Sequence, residues 1–206
     1  VERFVAYTLA TSPDMVKGLA VLVFRKTAGN PFYMKHMLRM VQANGWISFD
    51  AQKNAWTWDH QAIEAVQDQE QIIQFMEERI HLLPDEVVEI LKVASCLGSR
   101  FYADDLIRFI DQSAANIYDA LHVAEQNGLV FPPDPSVGHK CYQFFHDRIQ
   151  ELVYSFDSES EKKQIHLSFA RFLTTIEETE AVLYKLVDHY NKGIELIDDP
   201  KEQDLL

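Results

Sequence analysis

Gln143-Phe144-Phe145-His146-Asp147-Arg148-Ile149-Gln150-Glu151-Leu152-Val153-Tyr154 reads as an aromatic strand end that runs straight into an amphipathic helix, with His146-Asp147-Arg148 at the junction. The first turn of a helix leaves backbone N–H groups unpaired and partly positive, so a corner of this kind can meet an anion. A histidine there adds a donor that gains charge near neutral pH. The same residues also suit a plain helix cap, Asp147 being favourable near the positive end of the helix dipole. On the sequence both readings of His146 and Asp147 stand.

Upstream of this corner the order is helix, short helix, helix, strand, loop, strand. The helices are expected over 85–97, 103–110 and 113–127, with Gly128 as the last one's stop. Strands follow over 129–131 and 141–145, across the Pro/Gly-rich turn PPDPSVGHK. Three helices and such a ribbon predict a winged helix, which would occupy 71–157. A DNA-reading winged helix sends its third helix into the major groove with basic or amide side chains. Here that helix, SAANIYDALHVAEQN, has no Lys or Arg and carries Asp119 and Glu125, and the wing offers only Lys140 with His139. Such a surface repels phosphates, which favours protein contact or intramolecular packing over DNA.

Residues 1–70 read as a small helical domain with a β-hairpin. A first helix stops near Ser12-Pro13, a second runs over 13–28, and Gly29-Asn30 stops it before Pro31 opens a third that ends at Asn44-Gly45. The hairpin is expected over 46–49 and 55–58, separated by the polar DAQKN. Its Trp46, Trp56 and Trp58 are expected to cover a helical face, ligand stacking being the alternative. A linker over 59–70 precedes a helix over 71–83. In 158–206, Ser158 and Glu161 have capping-box spacing ahead of a helix through Ile165, Phe169, Phe172 and Leu173. Amphipathic stretches over 181–190 and 201–206 follow, as at the start of a TPR-like helical-repeat arm. The predicted fold is therefore mainly α, in three parts: 1–70, 71–157 and 158–206.

With 47% hydrophobic residues the 206-residue chain has material for one sizeable core or two to three small ones. No apolar run approaches the roughly 18 to 20 residues of a membrane helix. No secretory signal opens the sequence, which begins inside a helical pattern as an excised part of a longer protein would. The net charge of −13 and pI near 4.9 argue against a nucleic-acid or anionic-membrane surface. Cys96 and Cys141 are isolated and lack metal-ligand spacing, as expected of small core residues in the reducing cytoplasm. His146-Asp147 also invites comparison with HD-type metal phosphohydrolases, although His36, His122, His139, His166 and His189 stand at no spacing that predicts convergence. No Gly-x-Ser-x-Gly, Cys/His nucleophile pattern or GxxxxGK[ST] phosphate loop occurs.

Taken together, LVFRKTAGNPFYMKHMLRMVQANGWISFD, WTWD, LPDEVVEILKVASCLGSRF and YQFFHDRIQELVYS resemble, in order and over nearly the whole chain, the STAND-class predicted ATPase module of large bacterial signalling proteins. In those proteins the module follows a serine/threonine-kinase-like domain and often precedes sensor and histidine-kinase domains. The resemblance implies that 1–70 is a helical lid, 71–157 a winged helix and 158–206 the start of an arm. It implies that Gly29-Asn30-Pro31 is the GxP motif whose proline packs on the adenine. Phe145-His146-Asp147 is similar to the Met-His-Asp motif of NB-ARC proteins, Phe replacing Met, whose histidine contacts the β-phosphate of ADP. The cofactor implied is ATP or ADP with magnesium in the longer protein, with nothing held tightly by this chain and no catalytic residue in it. The phosphate loop, magnesium-binding acidic strand and arginine sensor belong to a domain upstream of the lid. That domain and the neighbouring kinase and sensor domains are the implied partners, with no nucleic acid or membrane, and self-association of the longer protein is left open.

Overall fold

The structure, a computed structural model, describes residues 1–66, 69–133, 141–175 and 180–197. The chain is mainly helical with two small antiparallel sheets, as the sequence predicts, and divides into two compact units, Val1–Leu82 and Leu83–Leu206.

The first unit holds α1 (Glu2–Thr8), a 3-10 turn (Pro13–Val16), α2 (Lys17–Thr27), α3 (Pro31–Ala43), β1 (Ile47–Asp50), β2 (Ala55–Trp58), α4 (His60–Glu64) and α5 (Gln69–His81). The helix expected over 13–28 is thus split. Pro13 begins a tight turn, and Val16, at φ −121° and ψ 10°, departs from helical dihedrals before α2 starts. Leu19, Leu22 and Val23 of α2 and Met37 and Val41 of α3 are buried where these helices pack. The hairpin pairs Ile47 with Trp58 and Phe49 with Trp56. Trp58 covers α2 at Gly18, where a Cβ would come within 2.9 Å of the indole. Trp56 is tied to the end of α1, its Nε1–H donating to the Leu9 carbonyl at 2.8 Å. The helix expected over 71–83 at the head of the winged helix is α5, and it packs on α3 inside the first unit. Ile72, Met76 and Ile80 are buried, a stripe at helical spacing that sets this unit's limit after α5 instead of at residue 70.

The second unit holds α6 (Asp85–Leu97), β3 (Arg100–Tyr102), α7 (Ala103–Phe109), α8 (Ala114–Gln126), β4 (Val130–Phe131), β5 (Cys141–Phe144), α9 (Asp147–Tyr154), α10 (Glu159–Leu173) and α11 (Glu180–Gly193), ending in a 3-10 turn (Ile194–Leu196). α6 is its hub, packing on α7, α8, α9 and α10. The three-stranded sheet has order β3-β5-β4, antiparallel throughout. β3 is an addition to the expected elements: three residues are too short to carry a period-2 signal, and they become a strand by pairing Arg100 with Gln143 and Tyr102 with Cys141. Ser158 and Glu161 form the capping box of α10. Most of the predicted wing loop, with His139 and Lys140, and the expected amphipathic stretch 201–206 lie outside the described residues. Among the described residues no helix is long and apolar enough to cross a membrane.

Candidate functional site

The Gly29-Asn30-Pro31 corner is built by two consecutive left-handed residues. Ala28 closes α2 at φ 50°, and Gly29 follows at φ +74°, a conformation in which a side chain is strained. The Thr27 hydroxyl donates to the Val23 carbonyl at 2.6 Å and accepts from the Gly29 N–H at 3.3 Å. Asn30 then caps α3, its Oδ1 accepting from the Phe32 N–H at 3.0 Å, and Pro31 takes the first helical position, where no N–H is needed. Pro31 is exposed. Beside Gly29 lies the Phe24 ring, within 3.4 Å of where a Cβ would stand and itself half exposed. The corner therefore presents a proline ring and an aromatic ring at a fixed backbone turn.

At the second corner, the Phe145 N–H donates to the Leu129 carbonyl at 2.9 Å and its ring meets Phe131 edge-on at 5.5 Å, locking the end of β5 to β4. His146 is extended (φ −158°, ψ 147°) and caps α9, with Nδ1 accepting from the Arg148 N–H at 3.1 Å. The capping role of His146 is thus met by one ring nitrogen, Nδ1. Ile149 and Val153 anchor the helix in the core. Gly29-Asn30-Pro31 belongs to the first unit and His146-Asp147 to the second.

Asp147, exposed in the first turn of α9, lines a cavity of about 320 Å³ together with Cys96, Tyr154, His166, Asp188 and Lys192. In its wall runs a buried relay. The Tyr154 hydroxyl lies 3.1 Å from His166 Nε2, and His166 Nδ1 lies 2.8 Å from His189 Nδ1. Only one proton fits between two ring nitrogens at that distance, so the two rings cannot both be cationic; burial above all pushes each down to about 4, with the Lys192 ammonium adding to it and, at His189, His166 as well. Cys96 is inert, burial pushing its thiol up to about 12. The sequence does not predict this relay: its three side chains come from α9, α10 and α11, and only the placement of His166 and His189 on apolar helix faces hints at it.

The rival chemistries find little here. The outward residues of α8 include Asn116, Asp119, His122 and Gln126, with no cation among them, which disfavours DNA as strongly in three dimensions as in sequence. Among the described residues no group of three or more His, Cys, Asp or Glu side chains could hold a metal ion.

No family model matches the chain, and no solved structure matches it. It is similar to the hybrid signal transduction histidine kinase G of Dictyostelium discoideum, with 24% identity over 254 residues of alignment, which take in 98% of this chain and 7% of that protein. The chain thus spans a small share of its relative's length. The likeness relates it to a stretch of a signal-transduction kinase, in Dictyostelium where the sequence resemblance points to bacterial proteins.

Proposed function

We propose that this chain is the lid, winged helix and arm start of a STAND-type signalling ATPase, and that it responds to whether ADP or ATP sits in a nucleotide-binding domain that the chain itself does not contain. The reading is supported by the order of α6, α7, α8, β4 and β5, with β3 joining the ribbon, which follows winged-helix connectivity. The likeness to a signalling kinase along 98% of the chain agrees with it. The observation that carries it is the place of the His146 ring, which caps the start of α9 through Nδ1. In the closed state Nε2 would donate to a diphosphate while Pro31 lies on the adenine. Magnesium and the triphosphate would be held by the upstream domain, whose bound nucleotide supplies the energy of the switch. This chain then works as a mechanical latch without catalytic residues, its partners being that domain and adjoining kinase or sensor domains in the cytoplasm.

The test is the ADP off-rate of the longer protein carrying His146→Ser. Serine keeps a good cap but cannot reach a phosphate. Loss of one charge-assisted hydrogen bond worth on the order of 1.5 to 3 kcal/mol should speed release roughly tenfold to a hundredfold. Because the contact exists only in the closed state, the same change should raise signalling output. Equal off-rates at equal stability would overturn the assignment. The 206-residue chain alone should neither hydrolyse ATP nor bind it tightly, and micromolar affinity by calorimetry would count against the proposal.

A further inference from the structure

The sequence holds two Asn-Gly pairs, Asn44-Gly45 and Asn127-Gly128. Both have the same local form. Each asparagine is the C-cap of a helix, Asn44 of α3 at φ −83° and ψ 0°, Asn127 of α8 at φ −80° and ψ −5°. Each donates its side-chain amide to the carbonyl one turn back, Met40 or Val123, at 2.9 Å. Each glycine follows in the left-handed region, at φ 70° or 72°. The Gly45 N–H donates to the Gln42 carbonyl at 3.0 Å and the Gly128 N–H to that of Glu125 at 2.8 Å.

The surroundings of the two pairs differ. Gly128 is buried, and the chain continues into the core through Leu129 and Val130. Asn44 and Gly45 are exposed, and a Cβ built on Gly45 would meet no atom within 4 Å. An asparagine amide followed by glycine is open to attack, because no side chain shields the glycine nitrogen from the amide carbon. In the closed cap, ψ near 0° turns that nitrogen away from the Asn44 side chain and a hydrogen bond holds it there, so attack waits on local opening. Exposed helix ends fray, whereas a corner pinned into a core opens with the core.

We propose that Asn44-Gly45 is a site of spontaneous deamidation that ages the first unit, while burial protects Asn127-Gly128. The Gly45 nitrogen bonds to Cγ of Asn44, the Cγ–Nδ2 bond breaks, and the Gly45 proton leaves with the amide nitrogen as ammonia, closing a succinimide. Water then adds to one of the two ring carbonyls and opens the ring, leaving aspartate or isoaspartate at position 44. One water is consumed and one ammonia released, with no change of oxidation state. Either product sets a negative charge at the C-terminal end of α3, where the helix dipole is negative and the last turn holds no basic residue. Isoaspartate also inserts a methylene into the main chain ahead of the hairpin that carries the Trp56 bond to Leu9. The site shares no residue with either corner of the latch, so its test and the ADP off-rate succeed or fail independently.

The folded 206-residue chain would be held in mildly alkaline buffer and sampled over weeks. Mass spectrometry of peptides containing each pair follows the exchange of amide for acid, and enzymatic methylation with labelled S-adenosylmethionine counts isoaspartate. The Asn44 peptide should convert about tenfold or more faster than the Asn127 peptide. In guanidinium chloride, where neither corner is folded, the two should convert within about threefold of each other. The aged chain and a fresh Asn44→Asp chain should both unfold at a lower denaturant midpoint than the fresh parent, whereas Asn44→Ser, which cannot close the ring, should keep its midpoint through the same incubation. Equal rates in the folded chain, a faster Asn127 peptide, or an intact Asn44 under conditions that convert the unfolded chain would overturn the proposal. So would an Asn44→Ser chain that ages like the parent, or a converted parent whose midpoint has not moved.

Discussion

Asn30 and His146 do the same local work with different chemistry: each places one side-chain acceptor, Oδ1 or Nδ1, on an N–H in the first turn of the helix it opens. A cap of this type is worth about 1 kcal/mol, so Asn30→Ala should lower stability by about that amount while Asn30→Asp changes it little. Gly29→Ala should cost more, about 1 to 2 kcal/mol, because φ is +74° and the new methyl would press on the Phe24 ring at 3.3 Å. Pro31→Ala should stay within about 0.5 kcal/mol, since an exposed residue at N1 lends only its fixed φ. Denaturant midpoints at constant slope would rank these four substitutions; a Pro31→Ala loss larger than that of Gly29→Ala would mean that the proline is structural. The corner is readable from sequence because glycine, asparagine and proline each restrict the backbone in a known way. His146 is only half readable, since nothing in the letters tells which ring nitrogen faces the helix.

Between elements, the most exacting contact in the second unit is that of α10 with α11. Gly193 stands so close to Leu167 that a Cβ would come within 2.8 Å of the leucine Cβ and 3.0 Å of its backbone nitrogen, so Gly193→Ala should cost about 1 to 3 kcal/mol through overpacking. The same interface holds the His166–His189 pair. Around the pair stand Tyr154 from α9, Lys162 from α10, Asp188, Lys192 and Lys185 from α11, and Cys96 from α6. Asp188 favours protonation, but burial and the lysines outweigh it. In the unfolded chain these imidazoles regain a pKa of about 6.5, whereas in the folded one both lie at about 4. The unfolded state therefore takes up protons that the folded state refuses, and stability falls as pH drops from about 6.5 to about 4. Each ring contributes on the order of 3 kcal/mol to that fall, which is complete below the lower value. Melting curves at pH 7 and 4.5 should show the loss, and the double change His166→Phe with His189→Leu should shrink it; an unchanged acid slope would refute the pair's role. The capping box that starts α10 is visible in sequence as a three-residue spacing. The histidine pair spans 23 residues and two helices, and a contact of that kind is made by packing alone.

Across the whole molecule, the two units raise the question of where one ends. Sequence punctuation at the weakly helical stretch 59–70 suggests a limit at residue 70, because polar composition marks linkers. The structure instead carries the first unit through α5 to Leu82. Periodicity identifies the helix, but its letters do not say which neighbour receives its apolar face. That face, Ile72, Met76 and Ile80, is 0 to 2% exposed. Burying three such side chains contributes roughly 1.5 to 3 kcal/mol each, an amount comparable to the entire net stability of a small domain. A chain of residues 1–82 should therefore unfold cooperatively, with its tryptophan fluorescence shifting in one transition. A chain of residues 1–70 lacks α5, exposes the α3 surface that α5 covers, and should show no cooperative transition. Residues 83–206 should fold separately, keeping α6 as their hub. If 1–70 melts as sharply as 1–82, α5 contributes nothing to the first core and belongs with the second unit after all; if 1–82 fails as well, neither limit marks a unit that can stand alone.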